Sequence, residues 1–334
     1  MSLRTGKWKL TELTEVPKHG IKVFSCFSGG GGSTMGYKLA GYEVLGCCEI
    51  DPKMWDVYVA NHMPKHAYKM SIQSFRKSKI HEDLYNLDVL DGSPPCSSFS
   101  MVGSRDKDWG KNKKFREGQA EQVLDDLFFE FIALAETIKP KVVVAENVKG
   151  LIQGKARGYC KMIFDKFKEA GYEPQLFLLN SASMGVPQRR ERTFFIATRK
   201  DLELPRIKLG FRERPISVSE AIKDCASDGQ TLPPSLLEEW NRIKGGEERK
   251  YYTCSIANPR LPAPTLTSKV TTKEGSVMHY ESPRKFSTSE VIAISTFPTD
   301  FNFRGQDAGY ICGMAVPPFM MQRIAVAIRS QLLI

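Results

Sequence analysis

Over the first two hundred residues, short apolar runs alternate with amphipathic stretches. Lys22 to Phe27 has the length and β-rich content of a buried strand. Glycines break it at Ser28 to Gly32, Ser33 to Ala40 reads as a helix, and Gly41 is its stop. Glu43 to Ile50 predicts a second strand. The order strand, glycine loop, helix, strand is the start of a parallel α/β sheet. Leu87 to Leu90 predicts a strand before Gly92-Ser93-Pro94-Pro95-Cys96. Glu121 to Ile138 predicts a helix with Val123, Leu127, Phe131 and Leu134 on one stripe, ended by Pro140. Val142 to Ala145 predicts a buried strand running into Glu146-Asn147. Ile163 to Ala170 is helical, Gln175 to Leu179 and Thr193 to Ala197 are strands, and Gly313 to Leu333 is a loop and an apolar helix.

The character changes after Arg199, where Pro, Ser, Thr and charge dominate until about Phe303. The expected organisation is therefore a larger α/β domain, residues 20–199 and 305–334, interrupted by a smaller domain, residues 200–304. The chain has 334 residues, enough to bury a sizeable core. No apolar run is expected to approach the ~20 residues of a membrane span; the best candidate, Leu127 to Ile138, carries Glu130 and Glu136. Met1 to Leu10 is basic with no apolar stretch after it, so no secretory signal is expected. These features lead to the expectation of a cytoplasmic protein without a membrane partner.

Charge adds a hint about partners. The formal charge is +10, and Arg105 to Arg116 holds six basic residues against two acidic ones, which suits a polyanion but also fits a solvated loop. Residues 200–300 are balanced, so that segment is no simple basic patch. Eight scattered cysteines form no C-x-x-C pair, and no zinc site is expected from them. His62 and His66 are four apart, but Pro64 between them argues against a metal-binding helix face, and no metal is expected.

The candidate chemistry lies at strand ends. Phe27-Ser28-Gly29-Gly30-Gly31-Gly32 lacks the frame of a dinucleotide fingerprint, and Tyr37 stands where a phosphate loop needs Lys. Glu49, twenty residues after Gly29, is suited to accept hydrogen bonds from both hydroxyls of a ribose. The pocket therefore suits an adenosine-containing ligand without pyrophosphate, although a plain glycine turn and a surface acid fit the same residues. Cys96 follows two prolines on a stiff turn. A buried structural thiol is the ordinary reading of such a residue. Glu146 at another strand end, and Gln188-Arg189-Arg190-Glu191-Arg192 before a third strand, are unusual company for a core cysteine and useful for a charged intermediate.

Taken in order, these pieces resemble the DNA cytosine-5 methyltransferases, especially those of bacteria and phages. They are F-S-G-G-G-G, the Glu49 strand end, P-P-C-S-S-F-S at 94 to 100, E-N-V at 146 to 148, Q-R-R-E-R at 188 to 192 and G-M-A-V-P-P at 313 to 318. The resemblance implies a Rossmann-like, S-adenosylmethionine-dependent methyltransferase fold: a mixed sheet with helices on both faces, plus an inserted target-recognition domain. It implies methyl transfer from S-adenosyl-L-methionine to carbon 5 of cytosine in duplex DNA, leaving S-adenosyl-L-homocysteine.

By the same resemblance, Cys96 is the nucleophile that adds to carbon 6 of a flipped-out base. Glu146 donates a proton toward N3, Arg192 holds O2 and Arg190 assists in stabilising charge. Phe27, Gly29, Gly31 and Gly32 follow the methionine and adenosine, Glu49 the ribose and Ile50 the adenine, with Pro95, Leu127 and Val316 completing the cofactor pocket. The stretch from Cys96 to Arg116 matches the family's closing catalytic loop. A monomer is expected, acting on nucleoid DNA in the cytoplasm, with a cognate restriction endonuclease as a conceivable partner. Two departures stand out. No Asp occurs at Lys69-Met70-Ser71-Ile72, where relatives hold the adenine amino group, and Met314 replaces an Asn; both predict weaker cofactor binding. A transfer RNA methyltransferase and a DNA-binding member with weak catalysis remain the rival readings.

Overall fold

Seven strands make the central sheet, and their alternation decides what lies on each face. The structure, a computed structural model, describes residues 7–95, 112–113, 122–123, 127–154, 156–242, 255–272 and 277–334. The described chain divides into two compact units. The larger comprises Pro17–Leu179, Glu191–Leu209 and Ile324–Ile334; the smaller comprises Met1–Val16, Asn180–Arg190 and Gly210–Arg323.

In chain order the first elements are β1 (Lys22–Cys26), α1 (Gly32–Leu39), β2 (Glu43–Cys48), α2 (Pro52–His62), β3 (His66–Tyr68), α3 (Ile72–Lys77) and β4 (Val89–Gly92). The two-residue β5 (Asn112–Lys113) and β6 (Gln122–Val123) follow, then α4 (Leu127–Ile138), β7 (Val142–Val148), α5 (Ala156–Glu169), β8 (Tyr172–Asn180), β9 (Gln188–Arg189) and β10 (Glu191–Arg199). The sheet order is β3-β2-β1-β4-β7-β10-β8. Pairing is parallel from β3 through β7, and β10 runs antiparallel to β7, so the sheet is mixed.

Successive side chains on a strand point to opposite faces. Phe24, Leu90, Val143 and Phe195 join one core with Phe75 of α3, Phe128 and Phe131 of α4, and Phe167 of α5. Each fully buried ring of this kind stabilises the fold by roughly 1.5–3 kcal/mol. Ser25 and Asp91 face the other way, where the Tyr37 hydroxyl of α1 donates to Asp91 at 3.3 Å. Helices thus lie on both faces. Local signals agree with the packing: Asp51 caps α2 by accepting from the Lys53 and Met54 amides at 2.8 and 3.4 Å, with Pro52 in the first turn. Such a cap is worth about 1 kcal/mol.

Helix α4 starts at Leu127, not at Glu121, because Gln122–Val123 pairs antiparallel with Asn112–Lys113. The apolar spacing Val123, Leu127, Phe131 continues helical rhythm across a boundary that strand pairing sets. Strand β7 extends to Val148, so Glu146 and Asn147 lie within it, not after it.

The smaller unit holds α6 (Val218–Ile222), α7 (Pro234–Arg242), β11 (Ser255–Ile256), β12 (Ala263–Pro264), β13 (Val277–Met278), α8 (Thr288–Ile294), α9 (Ala308–Met314) and the start of α10 (Pro318–Ile328). Its strands form short parallel pairs, β11 with β13 and β12 with β9. Trp8 is buried here and donates from Nε1 to the Thr296 carbonyl at 3.0 Å. Residues 305–323, expected with the larger domain, group with 210–304 because α9 packs on α8. Ala308–Leu333 is apolar and long enough to cross a membrane by composition, a segment the reading for apolar runs passed over. It is broken between α9 and α10, and 67% of its most apolar window is buried inside the protein, as in a core helix.

Candidate functional site

The turn after β1 carries three left-handed residues, Phe27 (φ +52°), Gly29 (φ +50°) and Gly31 (φ +87°). A Cβ added at Gly29 would meet nothing within 4 Å, so the backbone there is open to a ligand. At Gly31 the added Cβ would overlap Nε2 of the His62 ring. Gly31 is thus demanded by its own neighbour, and it caps α1, which Gly32 opens. The His62 Nε2 donates to the Gly30 carbonyl at 3.3 Å, and its ring lies edge-on to Tyr58 at 4.7 Å. Burial pushes its pKa down to about 3, so this imidazole stays neutral.

Glu49 follows β2 directly and is buried. Its Oε2 accepts the Gly29 amide and its Oε1 the Asp51 amide, each at 2.8 Å. Burial raises its pKa, and those two amides pull it back down. A carboxylate oxygen has two lone pairs, so capacity for hydroxyl donors remains. Beside it a small cleft is lined by Phe27, Cys48, Ile50, Met70, Ser71 and Ile72. Leu127 is wholly buried in the core cluster, and Pro95 is half-buried at the edge of the described chain.

A second group forms where β4 and β7 end and β10 begins. Asn147 Nδ2 donates to the Pro94 carbonyl at 3.0 Å, tying the turn before Cys96 to β7. Thr193 Oγ1 donates to the Asn147 carbonyl at 3.0 Å. Arg192 pairs in register with Val148, and Phe194 with Glu146. Arg192 and Glu146 are therefore diagonal neighbours on one face. They form an ion pair, Nε to Oε1, at 3.0 Å, with side chains 14% and 12% exposed. Burial pulls the guanidinium below its ordinary pKa while Glu146 opposes that shift. Removing one member of such a pair costs about 3–5 kcal/mol, because the other is left buried and charged.

Cys96 and most of the basic stretch Arg105 to Arg116 lie outside the described residues. Arg190 and Val316 belong to the smaller unit. There Arg190 is buried and donates from Nη1 to the Leu266 carbonyl at 3.2 Å and from Nη2 to the Gly313 carbonyl at 2.8 Å. That arrangement ties three segments of its own unit together. Met314 ends α9 and is 44% exposed. Sequence reasoning passed over Asn147 as a tether, His62 as a brace and Asp91 as a buried acid. A polar residue inside an apolar strand, V-L-D-G, was the available signal for the last.

A glycine turn with an acid at the next strand end, on a mixed sheet with helices on both faces, defines a nucleoside-binding α/β protein with a charged pair at neighbouring strand ends. The family model of C-5 cytosine-specific DNA methylases matches residues 21–244 and 220–330. The chain belongs to that family, whose members use S-adenosylmethionine as methyl donor, and it is a DNA (cytosine-5-)-methyltransferase. It is 28% identical over 350 residues to the type II methyltransferase M.NgoPII of Neisseria gonorrhoeae, covering 93% of this chain and 96% of that one. It is 29% identical over 352 residues to M.FnuDI of Fusobacterium nucleatum, covering 93% and 95%. Among solved structures it is similar to a putative prophage-encoded DNA modification methyltransferase of E. coli, with TM-score 0.72, 19% identity and coverage of 93% and 99%. It is also similar to a DNMT2 of Spodoptera frugiperda, with TM-score 0.67, 19% identity and coverage of 91% and 98%. The donor set fits the methyl donor: an open Gly29 backbone, a buried carboxylate and, beside them, a small and largely apolar cleft.

Proposed function

We propose that the chain methylates carbon 5 of cytosine in duplex DNA through a covalent bond between Cys96 and carbon 6 of a flipped-out base. The observation that carries this is the Glu146–Arg192 pair, held at 3.0 Å on β7 and β10 while the adjacent Asn147 fixes the turn leading to Cys96. Carbon 5 of cytosine is a poor nucleophile until a thiolate adds to carbon 6 and makes it enamine-like. Cys96 supplies the electron pair, and Glu146, in its protonated form once the base is bound, supplies a proton toward N3 as charge builds on the ring. Arg192 binds O2, and Arg190 acts as a positioning residue through the carbonyls it ties. S-adenosylmethionine, bound by Glu49, Ile50, Phe27 and the glycine loop, provides the electrophilic methyl. Transfer of the carbon 5 proton to a solvent water, with return of the N3 proton to Glu146, then lets the carbon–sulfur bond break and returns the thiolate.

Residues 200–304 are the sequence-reading part in this account, and the basic stretch after Cys96 meets phosphates. The type II names of the relatives support a restriction–modification setting; in this reading a cognate endonuclease is the partner and the enzyme works as a monomer on cytoplasmic, nucleoid DNA. A transfer assay with labelled methyl donor should label duplex DNA and leave transfer RNA unlabelled. Label on transfer RNA alone would overturn the substrate, and label on neither, with DNA bound, would overturn the activity.

A further inference from the structure

His66, which the sequence sets four residues from His62, meets different partners in the fold. His62 turns to the glycine loop, whereas His66 faces His81 and Asp83. We propose that His66, His81 and Asp83 form a binding site for a divalent transition-metal ion of the Zn2+ type. The His66 Nε2 lies 2.9 Å from Asp83 Oδ2, and the His81 Nδ1, which accepts the Asp83 amide at 3.2 Å and would give up that bond to an ion, lies 3.6 Å from the same oxygen. The two imidazole rings are 4.3 Å apart between centroids. One ligand atom from each of the three residues falls within 4.8 Å of the others.

Tetrahedral zinc with bonds of about 2.0–2.1 Å places its ligand atoms roughly 3.3 Å apart, so small side-chain rotations close the set around an ion. Two imidazoles and a carboxylate are a common zinc donor set, with a fourth position left for water. Asp83 is already charged: hydrogen bonds from Lys65 and His66 hold its pKa down at about 2. The Lys65 ammonium sits 2.6 Å from Asp83 Oδ2, where it supplies the positive charge in place of a metal. Its side chain is 62% exposed and free to swing away, and His81 at 46% gives an ion its way in.

The location gives the ion a task. His66 lies on the three-residue edge strand β3, and Asp83 follows α3. Between them lie Met70, Ser71 and Ile72, which form a wall of the cleft beside Glu49. An ion held at both ends closes this segment into a loop and stiffens that wall, since a metal bound to the folded state alone stabilises it. The role is structural, separate from methyl transfer.

The full-length protein, stripped with a chelator and then dialysed, is titrated with Co2+ under visible absorption, then with Zn2+ as competitor. One equivalent of tetrahedral Co2+ spectrum, displaced by Zn2+, is expected, together with a Zn2+-dependent rise in Tm. His81→Ala changes an exposed side chain and should weaken the site by more than about tenfold, as should Asp83→Asn. His81→Gln serves in place of the alanine variant if circular dichroism shows that one misfolded. Absence of the cobalt spectrum in the wild type would overturn the proposal. So would a spectrum, stoichiometry and affinity that persist unchanged in a folded His81 variant, since the metal would then sit elsewhere.

Discussion

Asp91 is a carboxyl enclosed by the sheet, with the Ser25 hydroxyl at 2.8 Å and the Tyr37 hydroxyl at 3.3 Å. Burial pushes its pKa up to about 7 from an ordinary 3.8, while those hydroxyls pull it back. The folded state therefore keeps a proton that the unfolded chain loses. This contribution to stability is fully present below about pH 4 and is lost as pH rises through about 7. The difference between the two values is worth at most about 4 kcal/mol. In urea unfolding, the wild type should lose stability from pH 5 to pH 8, and Asp91→Asn should lose much less. Parallel pH profiles for the two proteins would show that Asp91 stays ionised. The places of Glu49, Glu146 and Arg192 near strand ends were legible in the sequence, while their roles and that of Cys96 rest on the proposed reaction. The sequence was silent on the tether of Asn147 and the brace of His62, because both act through tertiary contacts that no local pattern records, and for Asp91 the polar residue in V-L-D-G was a signal without a partner to read it by.

At the scale of elements, the glycine loop and α2 are one device. Gly31 is left-handed at φ +87° and abuts His62, the last residue of α2. Gly31→Ala should destabilise the fold by about 2–3 kcal/mol, from backbone strain and overlap together. It should also weaken S-adenosylmethionine binding measured by calorimetry. In the double variant with His62→Ala, the overlap is relieved and the strain remains, so the cost should fall by about half. Full additivity of the two substitutions in denaturant unfolding would refute the contact. The early strands and helices were legible because buried runs and glycine stops coincide there. The start of α4 was not, because its apolar stripe runs on through Val123 while that residue pairs with Asn112.

For the whole molecule, composition changes near Arg199, whereas the larger unit runs on to Leu209 and the smaller one already takes Asn180–Arg190. Composition could not assign α9, whose apolar residues suit either core. Replacing residues 210–304 with the corresponding segment of a relative of known specificity should move the methylated site while the rate with saturating methyl donor persists within about tenfold. A folded, active chimera that keeps the original site would break this division of labour. The proposed covalent step rests on one atom, the Cys96 sulfur. Duplex DNA carrying 5-fluorocytosine at the target should trap the enzyme with methyl donor present, because fluorine cannot leave as a proton does. The account predicts a denaturation-resistant protein–DNA complex in the wild type and none in Cys96→Ala; a complex that survives in Cys96→Ala contradicts it.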